Sequence, residues 1–292
     1  MTPRSKRMVS VPPLNFIRTR SSSVDLAGFP DFLIAGPQRT GTTWIYRNLV
    51  THPHLFLPST KEIYYFSTLG KPEHPKYQFD CLEDYLRIFR ESGKAHVKKT
   101  YDVLRRCGVL YSPRLIGEAT ATYATIREEI IADIAALNPR VRVVLMLRDP
   151  VERAWSHAKK ELLRQSGPNE TVSESTYKDF FAQAGQMRRS AMQDVIDRWR
   201  AYLPYDQVYL GDYRHLSTDP RGLLEDLCEF LGAPLPKLFN SPHLRSTINP
   251  TSRAAMPEAL EAWLQEHLAN DSRCYRALLD DFDAKWRKNR GH

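Results

Sequence analysis

The stretch Phe32-Leu33-Ile34-Ala35-Gly36-Pro37-Gln38-Arg39-Thr40-Gly41-Thr42-Thr43-Trp44 narrows the choice of fold more than any other part of the chain. Residues 32–35 are a short apolar run with the character of a buried strand. Gly36 and Gly41 bracket a tight loop. Thr42 or Thr43 is a good N-cap, and Trp44, Ile45, Asn48 and Leu49 follow at helical spacing until His52-Pro53 stops the helix. A strand, a glycine-bracketed loop and a helix start build an anion site, because unpaired backbone N–H groups and the positive helix end converge on one point.

The spacing is close to the phosphate loop Gly-x-x-x-x-Gly-Lys-Ser/Thr. Gly36, Gly41 and Thr43 match it, but Thr42 stands where the lysine belongs and the cation has moved inside the loop, to Arg39. A cradle without the lysine for a γ-phosphate suits a different phosphate group.

Elsewhere strands and helices alternate. Residues 115–118, 141–147 and 208–210 read as strands. Helices are expected over 126–137, from Pro150 onward, over 178–203, from Asp219-Pro220 to a Gly232 cap, and as two closing helices in 257–288. This alternation predicts an α/β, P-loop-like three-layer fold, a central parallel sheet flanked by helices, in one domain over 27–288. Residues 1–26, basic and rich in serine and proline, are expected to form a flexible leader.

The net charge of +8 invites a nucleic-acid reading, so its location matters. Arg4, Lys6, Arg7, Arg18 and Arg20 at the front and Lys285, Arg287, Lys288 and Arg290 at the tail leave the body near neutral, unlike a nucleic-acid-binding face. The basic ends suit solubilising or loosely membrane-seeking tails. No apolar run reaches the length of a transmembrane helix. Cys81, Cys107, Cys228 and Cys274 show no Cys-x-x-Cys pairing, which argues against a zinc site and fits a reducing, cytoplasmic setting.

A second anion site is Arg148-Asp149-Pro150-Val151-Glu152-Arg153-Ala154-Trp155-Ser156. Arg148 stands at the carboxyl end of the strongest strand, where open α/β sheets put their ligands, and Ser156 follows within two helical turns. The first loop resembles the nucleotide-sulfonate loop of sulfotransferases that use 3′-phosphoadenosine 5′-phosphosulfate (PAPS). The second resembles that family's 3′-phosphate motif, Arg-(Asn/Asp)-Pro-x-(Asp/Glu)-Arg-x-x-Ser. The resemblance implies PAPS as sulfuryl donor and no obligatory metal, with Arg39, Thr40, Gly41, Thr42, Thr43, Trp44, Arg148 and Ser156 on the nucleotide. Arg39 stands where much of the family has lysine, so it is assigned electrostatic stabilisation and no proton transfer.

Lys61-Glu62 followed by Tyr65-Phe66 looks like the Lys-Glu-x-x-(Tyr/Phe)-Phe segment of heparan-sulfate-type and related bacterial sulfotransferases, which makes Glu62 the candidate base. Gly117-Glu118-Ala119-Thr120-Ala121-Thr122-Tyr123 resembles a segment near the acceptor, with Ala121 in place of the usual proline. Glu118 orients substrate, replaces Glu62 as base, or holds a loop. His96 and His157 are further possible bases outside any motif. The loop 248–253 is expected to close over the nucleotide through Arg253, with Arg245 competing, and Tyr209 and Arg214 are weaker candidates to line the cleft. The resulting expectation is sulfuryl transfer to a hydroxyl or amine of a carbohydrate, glycolipid or other small acceptor. Two alternatives stand beside it: a P-loop kinase or NTPase with Asp149 near Mg²⁺, and an inactive scaffold that binds the product nucleotide.

Overall fold

The computed structural model describes residues 7–165, 172–246 and 255–290. The chain enters through an antiparallel ribbon, β1 (Met8–Ser10) and β2 (Ser23–Asp25). The flexible leader expected up to residue 26 is corrected here from Arg7 onward. Ile17, Val24 and Leu26 lie in the main core. The buried Asp133 carboxylate accepts hydrogen bonds from the amides of Asn15, Phe16 and Ile17 at 2.7, 2.7 and 3.0 Å. A carboxylate collecting three amides is a strong anchor. Its donors lie 116 to 118 positions away in sequence, where leader composition reveals nothing of it.

β3 (Phe32–Gly36) then runs into α1 (Thr42–Leu49). β4 (Leu55–Phe56), α2 (Tyr65–Thr68), α3 (Leu82–Leu86) and α4 (Gly93–Cys107) precede β5 (Leu115–Ala119). α5 (Glu128–Leu137) leads to β6 (Arg142–Leu147), and α6 (Pro150–Gln165) begins at a proline, whose missing N–H costs nothing in a first turn. α7 (Glu174–Ala182), α8 (Ala184–Ser190) and α9 (Met192–Arg200) replace the single helix expected over 178–203. The backbone leaves the helical region at Gln183 and Ala191, with ψ of 132° and 71°. These breaks let Tyr177, Phe180 and Phe181 join one cluster while Met192, Val195, Ile196 and Trp199 face the main core.

β7 (Val208–Asp212), α10 (His215–Thr218), α11 (Pro220–Phe230), α12 (Glu258–His267) and α13 (Ala269–Arg290) complete the chain. α11 ends at glycine as the sequence predicts: Gly232 donates to the Glu229 carbonyl and Ala233 to the Cys228 carbonyl, at 2.8 and 2.9 Å.

The five longer-range strands form a parallel sheet in the order β4-β5-β3-β6-β7. Alternate residues feed opposite layers. Leu33, Ala35, Val143 and Leu145 pack toward α5 and α9, while Phe32, Ile34, Val144 and Met146 pack toward α1 and α11. This is the three-layer α/β architecture expected. β3 is the switch point, since the chain builds β4 and β5 on one side of it and β6 and β7 on the other. The crevice at the carboxyl ends of β3 and β6 is therefore the natural ligand site. No described helix is long and apolar enough to cross a membrane.

Candidate active site

The loop after β3 depends on its two glycines. Gly36 has φ of 116°, and a Cβ there would lie 2.2 Å from the Ala121 carbonyl oxygen. Gly41, at φ 88°, is the N-cap of α1, so Thr42 opens the helix instead of capping it. The Gly41 carbonyl accepts from the amides of Trp44 and Ile45 at 2.9 and 3.1 Å. The amides of Thr42 and Thr43 belong to the first turn, which has no carbonyl inside the helix to bond. Thr40 is fully buried and its hydroxyl donates to the Pro37 carbonyl at 2.6 Å, so its side chain braces the loop from within.

β6 delivers Arg148 to the same place. Its Nη1 donates to the Arg39 carbonyl at 2.7 Å, and its guanidinium lies 4.1 Å from the ring centre of Tyr213. The Arg148 Nε is buried without a hydrogen bond, and the Glu152 carboxylate stands 3.6 Å from it. Arg39, itself left-handed at φ 70°, donates from Nε to the Ser156 hydroxyl at 3.0 Å. Burial and then the charge of Arg148 hold the Arg39 pKa below its ordinary value. Burial, Arg148 and Arg39 likewise depress Lys159, a cation that sequence reasoning missed. Its one signal was its place a turn beyond Ser156 on the same helix. Three partly desolvated cations beside a free helix start make a strong anion trap.

Arg39 and Arg148 line a cleft of about 1170 Å³. Of the nucleotide residues expected from sequence, Arg39, Gly41, Thr42, Thr43, Trp44, Arg148 and Ser156 border it. The far wall carries Asn240, Leu244 and Arg245, and the Trp44 indole N–H ties α1 to that wall through the Leu244 carbonyl at 3.2 Å. Arg253 and its loop lie outside the described residues.

Two candidate carboxylates occupy different environments. Glu62 is left-handed at φ 64°, as is Tyr64 at φ 63°. One Glu62 oxygen pairs with Lys61 and the other accepts from the Ala121 amide at 3.1 Å. Since the Ala121 carbonyl abuts Gly36, the Glu62 carboxylate sits beside the start of the anion loop, not on the wall of the cleft. Tyr64 and Arg39 both sense the charge of Glu161, so the Glu62 loop and the loop cation face the same stretch of α6.

Glu118 is 1% exposed and lies in the core under that loop. Tyr85 donates to one of its oxygens, and Thr120 and Tyr123 donate to the other, both at 2.7 Å. Burial pushes its carboxyl up to about 7 against those hydrogen bonds. The Thr120 hydroxyl accepts from the Ile63 amide at 3.0 Å, and that of Tyr123 from the Phe66 amide at 3.3 Å. Two hydroxyls thus relay Glu118 to the segment that carries Glu62. Of the three roles expected for Glu118, these bonds match that of holding the loop, and Glu118 is not among the residues that line the cleft.

The remaining candidates have structural duties. His157 is buried against the Gln186 side chain at 2.8 Å, and burial lowers it to about 4, so it is neutral. His96 bonds Glu91 and packs on Tyr111. Tyr209 is buried in the sheet and donates to Asp226, while Arg214 pairs with Asp212. Asp149 accepts from the Glu152 amide at 3.0 Å and so caps α6.

Comparison with known proteins gives this arrangement its relatives. The family model described as "Sulfotransferase domain" matches residues 29–260. The chain is 28% identical over 219 residues to the human "Bifunctional heparan sulfate N-deacetylase/N-sulfotransferase 2", covering 70% of this chain and 22% of that one. The Drosophila melanogaster "Bifunctional heparan sulfate N-deacetylase/N-sulfotransferase" is 26% identical over 243 residues, covering 77% and 22%. The chain spans about a fifth of the length of these relatives. A solved sulfotransferase from Alicyclobacillus acidocaldarius superposes with a TM-score of 0.58 at 22% identity, covering 88% of this chain and 98% of that one, a likeness of fold.

Proposed function

The chain belongs to the sulfotransferase domain family, and on that premise we propose that it moves a sulfuryl group from PAPS to a hydroxyl or amine of a carbohydrate or glycolipid acceptor. The product nucleotide is 3′-phosphoadenosine 5′-phosphate (PAP). The observation that carries the donor is the joining of two anion sites through the Arg148–Arg39 and Arg39–Ser156 hydrogen bonds. A nucleotide phosphorylated at both its 5′ and 3′ positions offers one anion to each. The α1 amides and Arg39 suit the 5′ end, and Arg148 and Ser156 suit the 3′-phosphate. The orphaned Nε of Arg148 is a buried donor of the kind a phosphate oxygen satisfies.

In the proposed reaction the acceptor oxygen or nitrogen forms a bond to sulfur as the bond from sulfur to the bridging 5′-phosphate oxygen breaks. The acceptor's proton passes to the Glu62 carboxylate, and the charge left on the nucleotide phosphate is met by Arg39 and the α1 amides. Arg39 and Glu62 are two of the three described non-glycine residues held at positive φ. Such backbone strain costs on the order of 1–3 kcal/mol per residue and gathers at functional sites, which supports both assignments. The carbohydrate acceptor rests on the Lys61-Glu62 segment and on the heparan sulfate relatives.

Calorimetry with PAP, beside ATP with Mg²⁺, tests the donor. PAP should bind in the micromolar range, about 8 kcal/mol, and Arg148→Ala should weaken it by about 1.5–3 kcal/mol. Binding of Mg-ATP without binding of PAP would overturn the proposal.

A further inference from the structure

We propose that the outer face of α4, with the segment beside its carboxyl end, docks on an anionic lipid surface. Val97, Tyr101 and Leu104 stand at i, i+4 and i+7 on α4 and are 70%, 66% and 45% exposed. Leu110 follows just past the Gly108 cap. Leu238 joins them, since its Cδ1 lies 3.4 Å from where a Cβ on Gly108 would stand. Large apolar side chains exposed singly need no explanation. Five of the nine found among the described residues gather at this one helix and its end. They do no work in the core, because α4 already buries Val103 and Cys107 on its inner side.

The charges around the stripe are predominantly positive. Lys94, Lys98, Arg105 and Arg106 are exposed on the same helix, where Asp102 is the one acid. Arg106 and the exposed Arg47 of α1 both act on His243, which extends the cationic border toward the wall of the cleft. Lys237, also exposed, precedes Leu238. A second copy of the chain laid on this face would bring cation against cation. An anionic bilayer takes both features: apolar side chains enter the headgroup boundary, cations meet lipid phosphates, and tyrosine favours that depth. The segment carrying Leu238 continues into Asn240, Leu244 and Arg245, which line the cleft, so docking there brings the mouth of the cleft close to the headgroups.

The inference is independent of the sulfuryl donor, and its test needs no turnover. The full chain is floated with vesicles of phosphatidylcholine alone and of phosphatidylcholine with about one-third phosphatidylglycerol. Binding should require the anionic lipid, fall as salt rises, and drop by at least about tenfold in Val97→Glu/Leu104→Glu. Each of Lys98→Ser and Arg105→Ser should lower it by about fivefold. All these positions are exposed, and an unchanged thermal midpoint confirms folding. Three results would overturn the proposal. One is no preference for anionic vesicles. Another is binding that survives the α4 substitutions and is lost when Lys285, Arg287, Lys288 and Arg290 are neutralised. The third is a concentration-dependent dimer that Val97→Glu dissolves, which would assign the face to a second copy.

Discussion

Glu118→Gln distinguishes a buried carboxyl that holds a loop from one that merely lies near it. Burial lifts this carboxyl from the usual 4.5 to about 7. A raised folded-state pKa means that the group's contribution to stability is fully present below the unfolded pKa and is lost as pH rises through the folded one. The window is therefore 4.5 to about 7. Below it both states hold the proton, and across it the unfolded chain gains freely by ionising while the folded chain does not. At about 1.4 kcal/mol per unit, the shift amounts to about 3 kcal/mol. Glutamine cannot ionise, keeps a carbonyl oxygen for the Thr120 and Tyr123 hydroxyls, and offers an amide N–H to the Tyr85 oxygen. Urea denaturation across that pH range should show the variant gaining on the wild type by about 3 kcal/mol from bottom to top. A flat difference would mean a solvated carboxyl and no hydroxyl cage. An opposite slope would mean that the three hydroxyls outweigh burial, and either result refutes the reasoning. A companion variant, Glu118→Leu, leaves those hydroxyls unpaired at about 1–3 kcal/mol each. It should lower turnover more than nucleotide binding, since the loop it frees carries Glu62.

Glu62→Gln should abolish turnover by about a hundredfold or more while PAP affinity, read by calorimetry, stays within about twofold; retained turnover would remove Glu62 as base. Lys159→Ala should weaken PAP by less than Arg148→Ala does, about 1 kcal/mol, and equal losses would mean that Lys159 touches the nucleotide directly. Gly41→Ala imposes a left-handed alanine and brings a Cβ within 2.6 Å of the Leu216 side chain. A loss of about 1–2 kcal/mol in thermal or urea unfolding is expected. Cys81, Cys107 and Cys228 are buried and Cys274 is half-exposed. A colorimetric thiol reagent should therefore label one cysteine quickly in the native chain and the other three only on unfolding.

What was legible in the sequence was what is local. The β3–loop–α1 unit and the Arg148-Asp149-Pro150 turn are each written within some dozen residues, where glycine, proline and hydrophobic period act directly on the backbone. The sheet followed from the alternation of strands and helices. Contacts between distant residues were not legible. Asp133 reveals nothing of the amides it collects, and Glu118 looks like any acid at a strand end until Tyr85, Thr120 and Tyr123 close over it. α4 escaped the periodicity reading because its apolar residues stand on two faces, Val103 and Cys107 inside and Val97, Tyr101 and Leu104 outside. The helix expected over 178–203 has helical spacing almost throughout. It breaks at Gln183 and Ala191, and its apolar residues divide between two hydrophobic clusters.

The anchoring of the amino-terminal ribbon sets a schedule for synthesis. The amides of Asn15, Phe16 and Ile17 leave the ribosome first, yet their acceptor on Asp133 follows 116 to 118 codons later. At about 5–20 residues per second, that wait is on the order of ten seconds. β3 waits as well, because both its neighbours, β5 and β6, are translated after it. Until those segments arrive, Ile17, Val24, Leu26 and the apolar run of β3 lack part of the core they pack into, and they are the segments that a chaperone holding the nascent chain would cover.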